Sequence, residues 1–138
     1  QFETALQINP DFAVAHNHLG LALMRQGELG RAYVHLRKAV RLAPDNAQAH
    51  NNLGNLLADQ KKIAQAIFHF RRALRIQPDS FRIHNNLATV LLEQEEYAEA
   101  IEHFEKALSL NPGYRLAREN LAQVKTMQEK RRKHGGQP

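Results

Sequence analysis

The chain has no cysteine. That absence removes disulfides, cysteine-ligated zinc and thiol nucleophiles together, and it leaves the redox compartment open. Long hydrophobic runs are missing as well, and no stretch approaches the roughly 18 apolar residues that a bilayer-spanning helix needs. The opening residues, Gln1 to Pro10, include Glu3 and lack the basic-then-apolar order of a secretory signal. Glycine is sparse, and no glycine follows a strand-like segment, so a phosphate-cradling loop is not expected. Serine occurs only at Ser80 and Ser109, neither with a base beside it in sequence. These absences predict a soluble polypeptide that is not itself an enzyme, needs no cofactor and touches no membrane. Its compartment stays open, with the cytoplasm favoured.

Punctuation is what the chain has instead. Four of its five prolines are Pro10, Pro44, Pro78 and Pro112, spaced by a constant 34 residues. A fixed period of that size marks a stacked repeat. Residues 13–46, 47–80 and 81–114 align without gaps, and neighbouring blocks are identical at close to half their positions. The shared frame includes His16/His50/His84, Asn17/Asn51/Asn85, Leu19/Leu53/Leu87, Ala32/Ala66/Ala100 and Ala39/Ala73/Ala107.

Each block reads as two helices. In the second block Leu53, Leu56 and Leu57 mark the first helix, and Ile67, Phe70, Leu74 and Ile76 the second. Polar breaks between them are predicted near 26–28, 60–62 and 94–96. The second helix must stop before its proline, which lacks an amide donor and restricts the residue before it. Asp45-Asn46 and Asp79-Ser80 then offer side-chain oxygens to the open amides of the next helix. Gly20, Gly54 and Ala88, facing Ala32, Ala66 and Ala100, let the paired backbones approach closely.

These residues resemble the tetratricopeptide repeat. Its unit carries leucine and a small residue in the first helix, then alanine, an aromatic, alanine and a closing proline. Leu53-Gly54, Ala66, Phe70, Ala73 and Pro78 fit, as do Leu87-Ala88, Ala100, Phe104, Ala107 and Pro112. The first block departs, with Leu36 in the aromatic place. The resemblance implies an all-α superhelical solenoid that binds proteins or extended peptides on a concave face lined by first helices. The expected layout is the second helix of a truncated repeat at 1–12, then repeats at 13–46, 47–80 and 81–114. A capping helix at 115–131 and a disordered tail at 132–138 complete it. Because the first half-repeat lacks its partner, Phe2 and Leu6 are expected to seek cover by end-to-end self-association.

Eight histidines raise the question of a metal. Equivalent positions in stacked repeats are separated by about 8–10 Å, far more than zinc's ligand distances allow. Helix-interface packing is therefore the reading for His16, His35, His50, His69, His84 and His103, and no metal is expected. Charge alternates along the chain: the first two blocks are basic, the third acidic, and the segment after 115 basic again. Arg37-Lys38 and Arg71-Arg72 sit on second helices, and a solvated outer wall accounts for them. Aromatics are few and mostly in core phase, so nucleic acid is not the expected partner.

The asparagines are the candidate site. Asn17, Asn51 and Asn85 recur in one place and Asn52, Asn86 and Asn120 in the next, while Asn55 lies one turn beyond Asn51. The ladder resembles that of O-linked N-acetylglucosamine transferase repeats, which implies a glycosyltransferase's substrate-recognition segment as an alternative parent. On this resemblance Asn17, Asn51, Asn52, Asn55, Asn85 and Asn86, with Arg82 and Thr89, line the groove. Amides can both donate to and accept from a peptide backbone of any sequence. The competing reading is that some of them tie adjacent repeats together. A carboxylate clamp for chaperone tails is not expected. Its first pair would be Asn17 and Leu21, with no lysine, and Asn86 takes the place of one of its basic residues.

Overall fold

The computed structural model describes residues 12–135. All regular structure among them is helical: α1 Ala13–Arg25, α2 Leu29–Leu42, α3 Ala47–Asp59, α4 Ile63–Ile76, α5 Phe81–Glu93, α6 Tyr97–Leu110 and α7 Arg115–Gly135. The chain divides into two compact units, Gln1–Pro78 and Asp79–Pro138. The half-repeat expected at the start, and with it the self-association surface of Phe2 and Leu6, lies outside the described residues.

In the first unit α1 packs on α2 and α3 on α4. The turn within each pair follows from its backbone bonds. Glu28 N–H donates to the Leu23 carbonyl at 2.9 Å, and Lys62 N–H to the Leu57 carbonyl at 2.8 Å. These are the six-residue closures of a Schellman motif, which places the preceding residue in the left-handed region. Gly27 sits there at φ 81° and Lys61 at φ 63°. The interface behind the turns is small residues against large ones. Ala32, Leu36 and Ala39 are buried in the first pair, and Leu53, Leu56, Leu57, Ala66, Phe70 and Ala73 in the second. Gly54 sits at a close approach: a Cβ on it would lie 2.7 Å from the Phe70 ring, so the ring or the helices would have to shift to admit one.

The second unit repeats the device and adds a helix. Glu96 N–H closes on the Leu91 carbonyl at 2.9 Å, with Glu95 at φ 59°. Leu87, Ala88 and Leu91 of α5 are buried, as are Ala100, Phe104 and Ala107 of α6. Ala117 and Val124 of α7 complete this core, and Phe81 meets Tyr114 edge to face, their centroids 4.9 Å apart. Asn46 accepts from Ala49 N–H at 3.1 Å and Ser80 from Ile83 N–H at 3.3 Å, so these two residues provide the caps of α3 and α5.

The last helix runs to Gly135 rather than ending near 131, and Arg131 is anchored within it. Its guanidinium donates to the Glu95 carbonyl at 2.7 Å and to the Glu95 carboxylate at 3.2 Å, and it lies 4.7 Å over the Tyr97 ring. That side chain ties α7 at the expected end, and Arg132 adds an i−3 pair to Glu129.

Candidate functional site

Exposure divides the predicted site residues into two classes. Asn17, Asn51, Asn52 and Asn85 are buried, at 5%, 6%, 3% and 2% accessibility. Asn55, Asn86 and Thr89 are half-buried, and Arg82 is exposed.

Burial of an amide requires partners. Between α1 and α3 the partner is another amide, since Asn52 Nδ2 donates to Asn17 Oδ1 at 2.8 Å. Asn52 Oδ1 in turn accepts from Gln48 Nε2 at 3.1 Å. The two asparagines thus fix adjacent first helices in register. On α5 the equivalent arrangement is incomplete, for Asn85 Oδ1 is buried without a hydrogen-bond partner.

The accessible members stand on the same helices. Asn55 and Thr89 occupy one place in successive repeats. Thr89 Oγ1 donates to the Asn85 carbonyl at 2.8 Å, one helical turn back. That bond consumes the hydroxyl proton and leaves oxygen lone pairs to accept from elsewhere. Arg82 extends over the ring of Phe81, its guanidinium carbon 4.9 Å from the centroid. Within each unit these groups can hydrogen-bond to a ligand; they form no acid–base or nucleophilic arrangement.

The histidines expected at the helix interface form a second constellation, in pairs. The two histidines of each repeat meet across the helix pair: His16 Nδ1 lies 3.1 Å from His35 Nδ1, His50 Nδ1 3.1 Å from His69 Nδ1, and His84 Nδ1 3.0 Å from His103 Nδ1. Their rings stack at 26–27°. Two ring nitrogens at that distance require one proton between them. In the second repeat the assignment follows. His50 Nε2 is 2.9 Å from the Pro44 carbonyl, so it carries a proton, and neutral His50 must accept at Nδ1 from His69 Nδ1–H. Burial disfavours the imidazolium at His50 and lowers its pKa, against the raising effect of the Pro44 carbonyl. His69 is pushed down to about 4 by burial, by His50 and by Arg72. In the third repeat Glu99 stands 3.5 Å from His103 Nε2. Among the described residues no group of three or more histidine, aspartate or glutamate side chains could hold a metal. The signal for the pairing was present in the sequence, in a 19-residue spacing of histidines common to all three blocks.

Comparison with known proteins places this architecture. The tetratricopeptide repeat model matches residues 47–80 and 81–114, and a TPR repeat model matches 22–61. No curated protein matches the chain. Among solved structures, a crystal structure of MamA superposes with a TM-score of 0.86 at 24% identity, covering 93% of this chain and 75% of that one. The first TPR domain of Spaghetti (RPAP3), bound to the HSP90 peptide SRMEEVD, gives 0.85 at 18% identity, covering 88% and 97%. The TPR domain of Arabidopsis OM64 gives 0.81 at 20% identity, covering 84% and 96%. With family models spanning residues 22–114 and the helix pairs, turns and small-residue contacts in their places, the chain belongs to the tetratricopeptide repeat family.

Proposed function

We propose that this chain is a non-catalytic scaffold that binds an extended peptide along its first helices. The observation that carries the reading is the position shared by Asn55 and Thr89. Both keep a polar group half-exposed on helices whose other faces are packed. Asn51, Asn52 and Asn85 back this position from inside, and Asn17 holds Asn52 in place, so the buried amides support a face that the accessible groups complete. Arg82 and Asn86 extend the polar face on α5. An extended backbone offers donors and acceptors that the amides and hydroxyls on the first helices of each unit can meet whatever the peptide's side chains.

The peptide-bound relative was solved with the acidic HSP90 peptide SRMEEVD. Here the clamp for chaperone tails lacks its lysine, and Asn52 is turned toward Asn17. The proposed ligand is therefore held by its backbone rather than by a terminal carboxylate. An array of ten-residue peptides with amidated ends supplies the probe, and the tightest binder is carried into titration. Asn55→Ala with Thr89→Ala should weaken it by about 5- to 30-fold, the equivalent of two neutral hydrogen bonds. Unchanged affinity in that double variant would remove the first-helix face from the account.

A further inference from the structure

The second helices of the first unit carry a surface that folding does not explain. Neither α2 nor α4 contains a carboxylate, and together they carry Arg31, Arg37, Lys38, Arg41, Arg71, Arg72 and Arg75. On each helix one large apolar side chain stands among these cations. Val34 is 53% exposed and Phe68 61% exposed, and they occupy the same place in successive repeats. Arg37 and Lys38 follow Val34 by three and four residues, and Arg71 and Arg72 follow Phe68 likewise, so cations flank each apolar group on its own helix face. The residue that precedes α4 reaches α2: the Tyr33 ring of α2 has the Arg37 guanidinium 6.0 Å and the Lys62 ammonium 5.9 Å from its centroid. A shallow cleft of about 130 Å³ opens among Tyr33, Val34, Arg37, Lys38 and Arg41.

The third repeat is the internal control. On α6 the place of Val34 and Phe68 is held by Glu102, and that of Arg37 and Arg71 by Glu105. The helix forms and packs Phe104 and Ala107 just as α4 packs Phe70 and Ala73. An exposed apolar residue is thus not required at this position by the fold. A single exposed apolar side chain is ordinary; two in register, each flanked by cations, form an anchoring pattern.

We infer that the outer face of α2 and α4 is a docking surface for an acidic segment of a partner protein that carries apolar side chains. Val34 and Phe68 receive the apolar groups, and the flanking arginines and lysines pair with the carboxylates. Nucleic acid fits less well, because Val34 offers no π-face on which a base could stack. A second copy of this chain also fits less well. Its acidic outer helix, α6, has no large exposed apolar side chain, so Val34 and Phe68 would face carboxylates. This surface is distinct from the first-helix face proposed above, and either can fail without the other.

The test uses the full chain and a fluorescent synthetic peptide of sixteen residues, glutamate-rich with leucines at helical i, i+3 and i+4 spacing. Controls are the same peptide with glutamine for leucine, and a twenty-nucleotide oligouridylate. The account expects the leucine peptide to bind at least tenfold more tightly than either control. It expects Phe68→Glu, which copies the third repeat, to weaken binding tenfold or more without moving the melting temperature by more than a few degrees. Val34→Glu serves in the same way should Phe68→Glu destabilise the fold. Equal binding of the leucine-free peptide would reduce the surface to bulk charge and overturn the inference. So would tighter binding of oligouridylate, no binding of the leucine peptide at millimolar concentration, or no loss in either variant. Self-association in sedimentation that Phe68→Glu abolishes would assign the face to a second copy and overturn it equally.

Discussion

His50 donates through Nε2 to the Pro44 carbonyl at 2.9 Å and accepts through Nδ1 from His69 at 3.1 Å. The pair needs a neutral Nδ1 on His50, and protonating His69 at Nε2 keeps the bond but leaves a half-buried imidazolium beside Arg72. The pair joins the first helix of a repeat to the second, and its counterparts recur in the other two repeats. Stability should accordingly depend on pH in a definite direction. His69 has a folded pKa of about 4 against 6.5 when unfolded, so below 6.5 the unfolded chain binds more protons than the folded one. The contribution is complete above pH 6.5 and is lost as the pH falls through 6.5 toward 4. For a half-buried group this amounts to on the order of 1 kcal/mol at pH 5. Thermal unfolding at pH 7.5 and 5.0, with NMR titration of the His69 ring, checks it. A midpoint for His69 at or above 6 would rule out the assignment.

The Asn17–Asn52 bond predicts an asymmetry between asparagines that look alike in sequence. Asn52→Ala strands the buried oxygen of Asn17 and should cost about 1–3 kcal/mol. Asn85→Ala removes an oxygen that already has no partner and should cost less. Urea unfolding of the two single variants measures the difference, and equal losses would contradict it.

Gly54 faces the ring of Phe70 with no room for a Cβ, yet the third repeat carries Ala88 opposite Phe104 at the same place. The helices can therefore part by a few tenths of an ångström. Gly54→Ala should stay within about 1 kcal/mol of the parent, because improved helix propensity offsets the crowding. Gly54→Leu should be destabilising by about 3 kcal/mol or more, since Phe70 is buried and has nowhere to move. Denaturation midpoints of the two variants decide this; a harmless leucine would show that the helices are not held by close contact.

Arg131 anchors the end of α7 to Glu95 and Tyr97. Arg131→Ala should raise hydrogen exchange over residues 128–135 while leaving that of Ala117 and its neighbours unchanged. Protection that survives the substitution would mean that the terminal turns are held by helix propensity alone.

Much of this fold was legible because its signals repeat. The proline spacing, the alanine and glycine positions and the polar breaks each occur several times, so the helix limits around 26–28, 60–62 and 94–96 could be read directly. The caps were legible as dipeptides, though only geometry selects Asn46 over Asp45 and Ser80 over Asp79. The histidines were legible as helix-interface residues, but their pairing was not. A contact between residues 19 apart depends on how the Schellman turn folds one helix onto the next, and periodicity within a single helix carries no trace of it. The asparagines divided for a similar reason. Sequence places Asn51, Asn52 and Asn55 on one helix, but whether an amide meets solvent or another amide depends on the neighbouring helix. The outer face was legible as a charged wall from Arg37-Lys38 and Arg71-Arg72, but the exposure of Val34 and Phe68 within it depends on which face of each second helix the packing leaves open.

In the proposed function the accessible polar groups of the first helices bind a peptide, while the Asn17–Asn52 pair behind them holds α1 and α3 in register. Isothermal titration of the tightest array peptide against the parent, Asn55→Ala/Thr89→Ala and Asn52→Ala, with melting temperatures recorded for each, tests both halves at once. A 5- to 30-fold loss of affinity at unchanged melting temperature is expected for the double variant. For Asn52→Ala a lowered melting temperature is expected, with affinity retained at temperatures where that variant is fully folded. Full affinity in the double variant, or a melting temperature that Asn52→Ala leaves untouched, would contradict this reading.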